Sequence, residues 1–117
     1  EILIGENTVE LVGDAFVLRE IDLVRVVGKK KPTRVYELLA LSATSLPAGQ
    51  QETLRNYADA LEAYRAQRWD EALGLFERAL TLWPGDGPSL VMARRCRTHA
   101  DIPPAADWDG VFEATKK

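Results

Sequence analysis

Few side chains in this sequence have the type and spacing that chemistry requires. The 117 residues include one Cys and one His, so an internal disulfide is impossible and no cluster of nitrogen and sulfur ligands can hold zinc or an iron–sulfur site. No serine lies in a G-x-S-x-G nucleophile motif. The sequence therefore predicts a reduced, intracellular, metal-free piece with no catalytic group of its own.

The remaining candidates lie close together near the end of the chain. Arg94, Arg95 and Arg97 give one side of a predicted helix positive charge, which is either a solvated face or a docking patch for an acidic partner. Cys96 shares the opposite face and is predicted to be a small core residue, although the arginines would lower its pKa if it were exposed. His99 is predicted to be a surface residue at the helix end. The three tryptophans are predicted core or staple residues rather than ligand platforms.

Composition excludes several classes of protein. The chain carries 15 Lys and Arg against 18 Asp and Glu and is 46% hydrophobic, which excludes disorder throughout and argues against nucleic-acid binding. No run approaches the roughly 18 apolar residues that span a bilayer, and the first residues of this sequence lack the basic and apolar regions typical of a signal peptide. A cytoplasmic segment without membrane contact is predicted, and any membrane anchor of the parent would lie upstream. The opening triplet Ile2–Leu3–Ile4, without an initiator Met, indicates an excerpt of a longer protein.

The first third of the chain has the patterns of short strands. Residues 2–4 resemble the end of a buried strand, and a short helix is predicted over residues 8–12, stopped by Gly13. Alternating residues from Phe16 predict a strand that bends or bulges near Ile21 and Asp22. A polar turn at residues 28–32 precedes a returning strand at 33–38, so an antiparallel hairpin is predicted.

The rest of the chain has helical periodicity after a predicted linker at residues 42–50. Two amphipathic helices with a short joint at residues 66–68 are predicted to be antiparallel neighbours. Their predicted buried stripes are Leu54, Tyr57, Ala58, Leu61 and Tyr64 in the first helix and Trp69, Ala72, Leu73, Phe76, Ala79, Leu80 and Trp83 in the second.

A third helix is predicted after the break at residues 84–88, with Leu90, Val91, Ala93 and Cys96 on its buried stripe. The spacing of Trp108, Val111 and Phe112 allows a short helical cap at the end of the chain. The predicted fold class is α+β, with a short N-terminal helix and a hairpin followed by a bundle of three to four helices.

The hairpin resembles the C-terminal end of the catalytic domain of class III adenylate and guanylate cyclases. The family pattern is a strand and short helix followed by "R-x-L-D-x-V-x-V-K-G-K-x-x-P-V-x-V-Y-E-L". The resemblance covers about the first 41 residues, so residues 1–41 are predicted to be a cyclase segment. The matching residues are Arg19, Ile21, Asp22, Val24, Val26, Gly28, Lys29, Pro32, Val35, Tyr36, Glu37 and Leu38.

The helical region, residues 51–117, resembles about one and a half tetratricopeptide repeats. Small residues at Ala72 and Ala79 let a neighbouring helix approach, and Pro84 ends the helix so that the next can stack. Trp69 and Phe76 occupy aromatic positions of the repeat, whereas Ala63 stands where an aromatic is usual. Bacterial cyclases often carry such a tail, sometimes with a DWDG ending like residues 107–110.

The cyclase resemblance implies conversion of a nucleoside triphosphate to a cyclic nucleotide with two Mg or Mn ions. The family's metal-binding aspartates and its Asn and Arg that stabilise the transition state lie upstream, so this segment is expected to hold no cofactor and to be inactive alone. The family lysine that reaches the triphosphate corresponds to Val27, and Lys29 is a substitute candidate. The alternative, which the pattern favours, is a solvated hairpin tip of Lys29, Lys30 and Lys31.

Two functions follow from these resemblances. The first is the end of a nucleotidyl cyclase whose tail positions, dimerises or regulates the catalytic domain, with the arginines docking on that domain. The second is a tetratricopeptide-type interaction module without enzymatic activity. The expected partners are the rest of the catalytic domain, a second copy of the chain and a protein partner of the tail. The sequence does not distinguish ATP from GTP, because the base-reading positions lie elsewhere.

Overall fold

The structure, a computed structural model, describes residues 2–6, 8–9, 17–26, 28, 30–40 and 46–113. The chain divides into two compact units. Residues 1–46 with 111–117 form the sheet unit, and residues 47–110 form the helical unit. The described elements are four strands and three helices, so the predicted α+β class is confirmed.

The sheet unit is built around the predicted hairpin. Its strands are β1 (Ile2–Gly5), β2 (Val17–Arg25), β3 (Thr33–Ala40) and β4 (Phe112–Glu113), in the order β1-β3-β2-β4. Strand β3 is antiparallel to β1 and β2, whereas β4 runs parallel to β2. Gly28 in the turn has a φ of +86°, which a glycine adopts without a steric penalty.

The predicted irregularity in β2 is confirmed. The pairing of β2 with β3 shifts register between Glu20 and Asp22, which is the behaviour of a β-bulge. Positions 6, 8 and 9 are helical, in agreement with the predicted short helix. The rest of that helix and residues 42–45 of the predicted linker lie outside the described residues, and residues 48–50 of that linker are helical.

The helical unit consists of α1 (Ala48–Arg65), α2 (Trp69–Leu82) and α3 (Gly87–Asp101). Helix α1 begins earlier than the predicted helical region, directly after its N-cap residue Pro47, which has a φ of −56°. The hydroxyl of Thr53 near the start of α1 donates to the carbonyl of Ala79 near the end of α2, at 3.0 Å. The two helices therefore run antiparallel, as predicted.

The core of the helical unit is formed by buried side chains from all three helices. Tyr57 and Phe76 are fully buried and meet edge to face with ring centroids 5.2 Å apart. The buried side chains are Thr53, Tyr57, Ala60, Leu61, Ala63 and Tyr64 of α1, Ala72, Phe76 and Ala79 of α2, and Ser89, Met92, Ala93 and Cys96 of α3.

Two predicted core faces need correction. In α3, Leu90 and Val91 are 43% and 44% exposed, because the buried stripe follows Ser89, Met92 and Cys96 on the other side of the helix. In α1, Ala58 is exposed, because the stripe follows Ala60 and its i+3 and i+4 neighbours instead.

The predicted helical cap at the end of the chain is wrong. Gly110 has a φ of +78°, a left-handed conformation that ends any helix there. Phe112 and Glu113 instead pair with Val24 and Arg25 as strand β4. The long-range partner in β2, which local spacing cannot reveal, decides the structure of this segment.

Candidate functional site

The hairpin carries a buried ion pair between its two strands. Arg19 of β2 lies opposite Glu37 of β3, and the Arg19 Nε donates to the Glu37 Oε1 at 3.1 Å. The two residues are only 4% and 7% exposed. Both are among the residues on which the predicted cyclase resemblance rests.

The bulge explains why a second carboxylate is buried near this pair. In a regular strand, residues three apart point to opposite faces. The extra residue between Glu20 and Asp22 changes the phase, so Arg19 and Asp22 are the two buried residues of β2. The Asp22 carboxylate accepts the backbone N–H of Leu23 at 2.8 Å. The spacing of the aliphatic residues in β2 does not by itself predict that its buried positions are charged.

The hairpin tip presents basic side chains to solvent. Lys30 and Lys31 are exposed, and the Arg25 Nε donates to the Lys30 carbonyl at 3.1 Å. The Arg25 guanidinium also pairs with Glu113 of β4. The phosphate-binding candidate Lys29 and the corresponding family position Val27 lie outside the described residues, so that hypothesis stays a prediction.

The three arginines of α3 have different surroundings. The Arg97 Nη2 contacts the Glu77 carboxylate of α2 at 3.1 Å, and the Arg95 Nη1 approaches the Met92 sulfur at 3.5 Å. Arg94 is exposed on the solvent side of the helix. The docking-patch hypothesis for these arginines stays a prediction.

Cys96 is a core residue, as predicted. It is fully buried, and burial raises the pKa of its thiol to about 11, against a smaller opposing effect of Arg97. Because the thiol stays protonated at neutral pH, Cys96 packs as a small apolar group rather than acting as a nucleophile.

His99 is not the surface residue that the sequence predicts. It lies at the end of α3 but is half-buried, and its ring stacks on Trp69 with centroids 4.7 Å apart. Tyr64 and Trp108 complete an aromatic cluster around it. Burial lowers the pKa of His99 from its ordinary value of 6.5, and Arg95 lowers it further.

Sequence reasoning missed this cluster because its four rings come from four separate segments. Tyr64 ends α1, Trp69 begins α2, His99 lies at the end of α3 and Trp108 follows that helix. The available signal was the proximity of Tyr64 and Trp69 to one short interhelical joint, where a helical hairpin brings its ends together.

An open groove adjoins the cluster. Its volume is about 370 Å³, and the joint between α1 and α2 forms one wall. Gln67 in this joint has a φ of 62°, a left-handed conformation that turns the chain sharply. The lining residues are Gln67, Arg68, Trp69, Asp70, Glu71 and Ala100.

The described residues contain no cluster of metal-ligating side chains. Nowhere in this part of the chain do three His, Cys, Asp or Glu side chains come together where a metal ion could be held. Within the same described part, no helix has the length and apolar character needed to cross a membrane. The geometry supports structural and recognition roles: a buried charge pair in the sheet, and aromatic rings beside a groove.

Comparison with known proteins gives one informative similarity. The chain is 31% identical over 98 residues to the "Adenylate cyclase, terminal-differentiation specific" of Dictyostelium discoideum. The match covers 81% of this chain but 5% of that protein, so the chain spans about a twentieth of the relative's length. This similarity relates the chain to a cyclase. No protein-family model and no solved structure matches it.

Proposed function

We propose that this chain is the C-terminal end of a class III nucleotidyl cyclase catalytic domain followed by a tetratricopeptide-like helical tail. In the parent protein the reaction is conversion of a nucleoside triphosphate to a 3′,5′-cyclic nucleotide, and the relative's name favours ATP. The observation that carries the proposal is the similarity to an adenylate cyclase over 81% of the chain. A match over 81% of the chain includes part of the sheet unit and part of the helical unit, which supports treating them as parts of one cyclase-related protein.

The composition of the sheet unit supports a larger catalytic domain around it. Among the described residues, every buried hydrophobic side chain except Val111 belongs to the helical unit. The sheet unit instead buries charged residues, while Leu3 and Val26 are 54% and 43% exposed. A small sheet needs an apolar face packed against another layer for stability. The rest of a catalytic domain would supply that layer.

The proposed chemistry assigns no catalytic residue to this chain. The two Mg or Mn ions of such a cyclase would be held by aspartates of the preceding sequence, and they would stabilise charge on the phosphates. The hairpin would complete the catalytic sheet, with Arg19 and Glu37 fixing the pairing of its strands. The tail would position or dimerise catalytic domains in the cytoplasm, and Arg94 would belong to its docking surface.

An exchange experiment tests the proposal. The C-terminal strand and hairpin of an active class III adenylate cyclase would be replaced by residues 1–41 of this chain. We expect the exchanged enzyme to fold and to form cyclic AMP, with activity reduced because Val27 replaces the family lysine. Val27→Lys in the exchanged enzyme should then raise the activity.

The matched control is the same exchange carrying Glu37→Leu, which removes the partner of Arg19. This variant should lose activity together with folding, as measured by circular dichroism. A soluble, folded exchange enzyme with no detectable cyclase activity, both with Val27 and with Val27→Lys, would contradict the proposal.

The alternative is a tetratricopeptide-type interaction module without an enzymatic role. The observation that favours it is the self-sufficient core of the helical unit, with Ala72, Phe76 and Ala79 fully buried. Under this alternative the isolated helical unit would fold and bind a protein partner, while the exchanged cyclase would be inactive. The exchange experiment therefore separates the two functions.

A further inference from the structure

Helix α3 has one side that is exposed along its whole length. On this side, Leu90 and Val91 near the helix start are 43% and 44% exposed, and Ile102 directly after the helix end is 76% exposed. The Ile102 N–H still donates to the Thr98 carbonyl at 2.9 Å, so Ile102 takes the place of the next helical residue. We call this side the outer face, and its residues are Leu90, Val91, Arg94, Thr98, Asp101 and Ile102.

The residue types on the outer face follow one another in a symmetric order. The face is apolar at both ends, at Leu90 and at Ile102, and it is charged between them. Arg94 and Asp101 carry opposite charges and lie seven residues apart, which is about 10 Å along the helix axis. The midpoint between them lies beside Thr98. The outer face is therefore complementary to a copy of itself turned end for end.

An antiparallel arrangement of two copies makes use of this order. A two-fold axis beside Thr98 would place Arg94 of each copy against Asp101 of the other. The apolar residues at the start of α3 would then lie within about one helical turn of Ile102 of the other copy. Contacts of this kind, in which both copies use the same surface, are the commonest in symmetric dimers. A parallel pair would instead bring the two Arg94 side chains together, and like charges oppose association.

The other charged residues of the second half of α3 do not oppose this approach. The Arg97 guanidinium contacts the Glu77 carboxylate of its own chain at 3.1 Å, so its charge is offset within one copy. Arg95 is half-buried and lies on another side of the helix. Arg94 and Asp101 are therefore the charges that decide how two outer faces meet.

We propose that the outer face of α3 binds the outer face of a second copy of this chain as an antiparallel helix pair. The inference rests on the proposed function, because it assigns a surface to the dimerising role of the tail. One helix face is smaller than the roughly 800 Å² per partner of a stable interface, so the isolated chain forms this contact weakly. Two associated catalytic domains would hold their tails at an effective concentration of about 1 mM, which favours the contact in the parent protein.

Reversal of the two charges tests the proposal in the full chain. In sedimentation equilibrium the average mass should rise towards that of a dimer as the concentration approaches about 1 mM. Arg94→Glu and Asp101→Arg should each weaken association about ten-fold, because each variant places like charges together. The double variant should restore it, since opposite charges meet again with exchanged signs. Arg78→Glu on the exposed side of α2 is the matched control and should leave association unchanged.

Cysteine substitution tests the antiparallel arrangement itself. A disulfide requires Cα atoms about 4–7 Å apart, so only a position beside the two-fold axis can be joined to the same position of the other copy. Thr98→Cys should form a covalent dimer in a glutathione redox buffer. Leu90→Cys should not, because the two positions would lie about 20 Å apart along the helix axes. The buried thiol of Cys96 should stay reduced in both variants.

Three outcomes would overturn the proposal. A chain that stays monomeric up to about 1 mM would leave the outer face to solvent or to a different protein. Association that both single charge variants keep, or that the double variant does not restore, would exclude the pairing of Arg94 with Asp101. Equal disulfide formation by Thr98→Cys and Leu90→Cys would exclude the antiparallel arrangement.

These measurements are independent of the cyclase assay. If the exchanged cyclase is active and the chain does not associate, the helix pair is wrong and the proposed function stands. If the chain associates as described and the exchanged cyclase is inactive, the proposed function is wrong and the helix pair stands.

Discussion

The buried ion pair between Arg19 and Glu37 predicts a large loss of stability when one partner is removed. An exposed ion pair on the same two strands provides the comparison. Glu37→Leu removes the carboxylate that pairs across the two strands with the Arg19 guanidinium, whose side chain is only 3% exposed. Removal of one member of a buried pair costs about 3–5 kcal/mol. Because small domains are stable by about 5–15 kcal/mol, this loss is a large fraction of the stability expected for the sheet unit.

A second ion pair on the same two strands is the matched control. Arg34 and Glu20 approach to 2.8 Å with side chains that are 44% and 28% exposed. Water screens such a pair, and exposed pairs contribute about 1 kcal/mol or less. Arg34→Leu should therefore cost far less than Glu37→Leu, although both variants remove one member of an Arg–Glu pair.

The assay is amide hydrogen exchange of β2 and β3 in the full chain, which reports the opening free energy of each strand. Glu37→Leu should lower the protection of these amides by about two to four orders of magnitude, since about 1.4 kcal/mol is a factor of ten, and Arg34→Leu should leave most of the protection. The double variant Arg19→Met with Glu37→Leu should recover part of it, because the buried Arg19 charge is removed together with the Glu37 carboxylate. Equal losses for Glu37→Leu and Arg34→Leu, or no recovery in the double variant, would refute the reasoning.

Three further predictions concern titration, reactivity and ligand binding. The pKa of His99 is lowered in the folded state, so the unfolded chain binds the proton more readily. The free energy of unfolding should therefore fall as the pH drops below about 6.5 and level off below the folded pKa. His99→Gln should flatten this pH dependence in urea unfolding, and an unchanged slope would contradict the assignment of the dependence to His99. Cys96, with a buried thiol of pKa about 11, should react with a thiol reagent at pH 8 only as fast as the helical unit opens; rapid labelling of the folded chain would contradict this burial. Titration of the chain with magnesium-ATP should produce no saturable shift of amide NMR signals, and tight binding would show that the chain holds a triphosphate site of its own.

Local patterns in the sequence predict most of the secondary structure. The alternation of residues in β2 and β3 and the polar turn between them predict the hairpin, and the loss of phase near Asp22 predicts the bulge. The i, i+3, i+4 spacing of Tyr57, Leu61 and Tyr64 predicts α1. In each case the signal lies within one element, where the period of side chains reflects which face is buried.

Features that depend on distant partners escape this reasoning. Strand β4 forms because Phe112 meets Val24, far away in the chain, whereas the local spacing favours a helix. The buried stripe of α3 includes Met92 rather than Leu90 because the position of the neighbouring helix selects which face is covered. The aromatic cluster around His99 cannot be predicted from local patterns, since the ends of three helices bring its residues together.

The central claim is that residues 1–41 are the end of a cyclase catalytic domain. The most direct test is the rate of cyclic AMP formation by a class III adenylate cyclase in which these residues replace its own C-terminal strand and hairpin. The account predicts a folded enzyme with measurable activity that rises when Val27 is changed to lysine. A folded enzyme that forms no cyclic AMP with either residue at position 27 would contradict it.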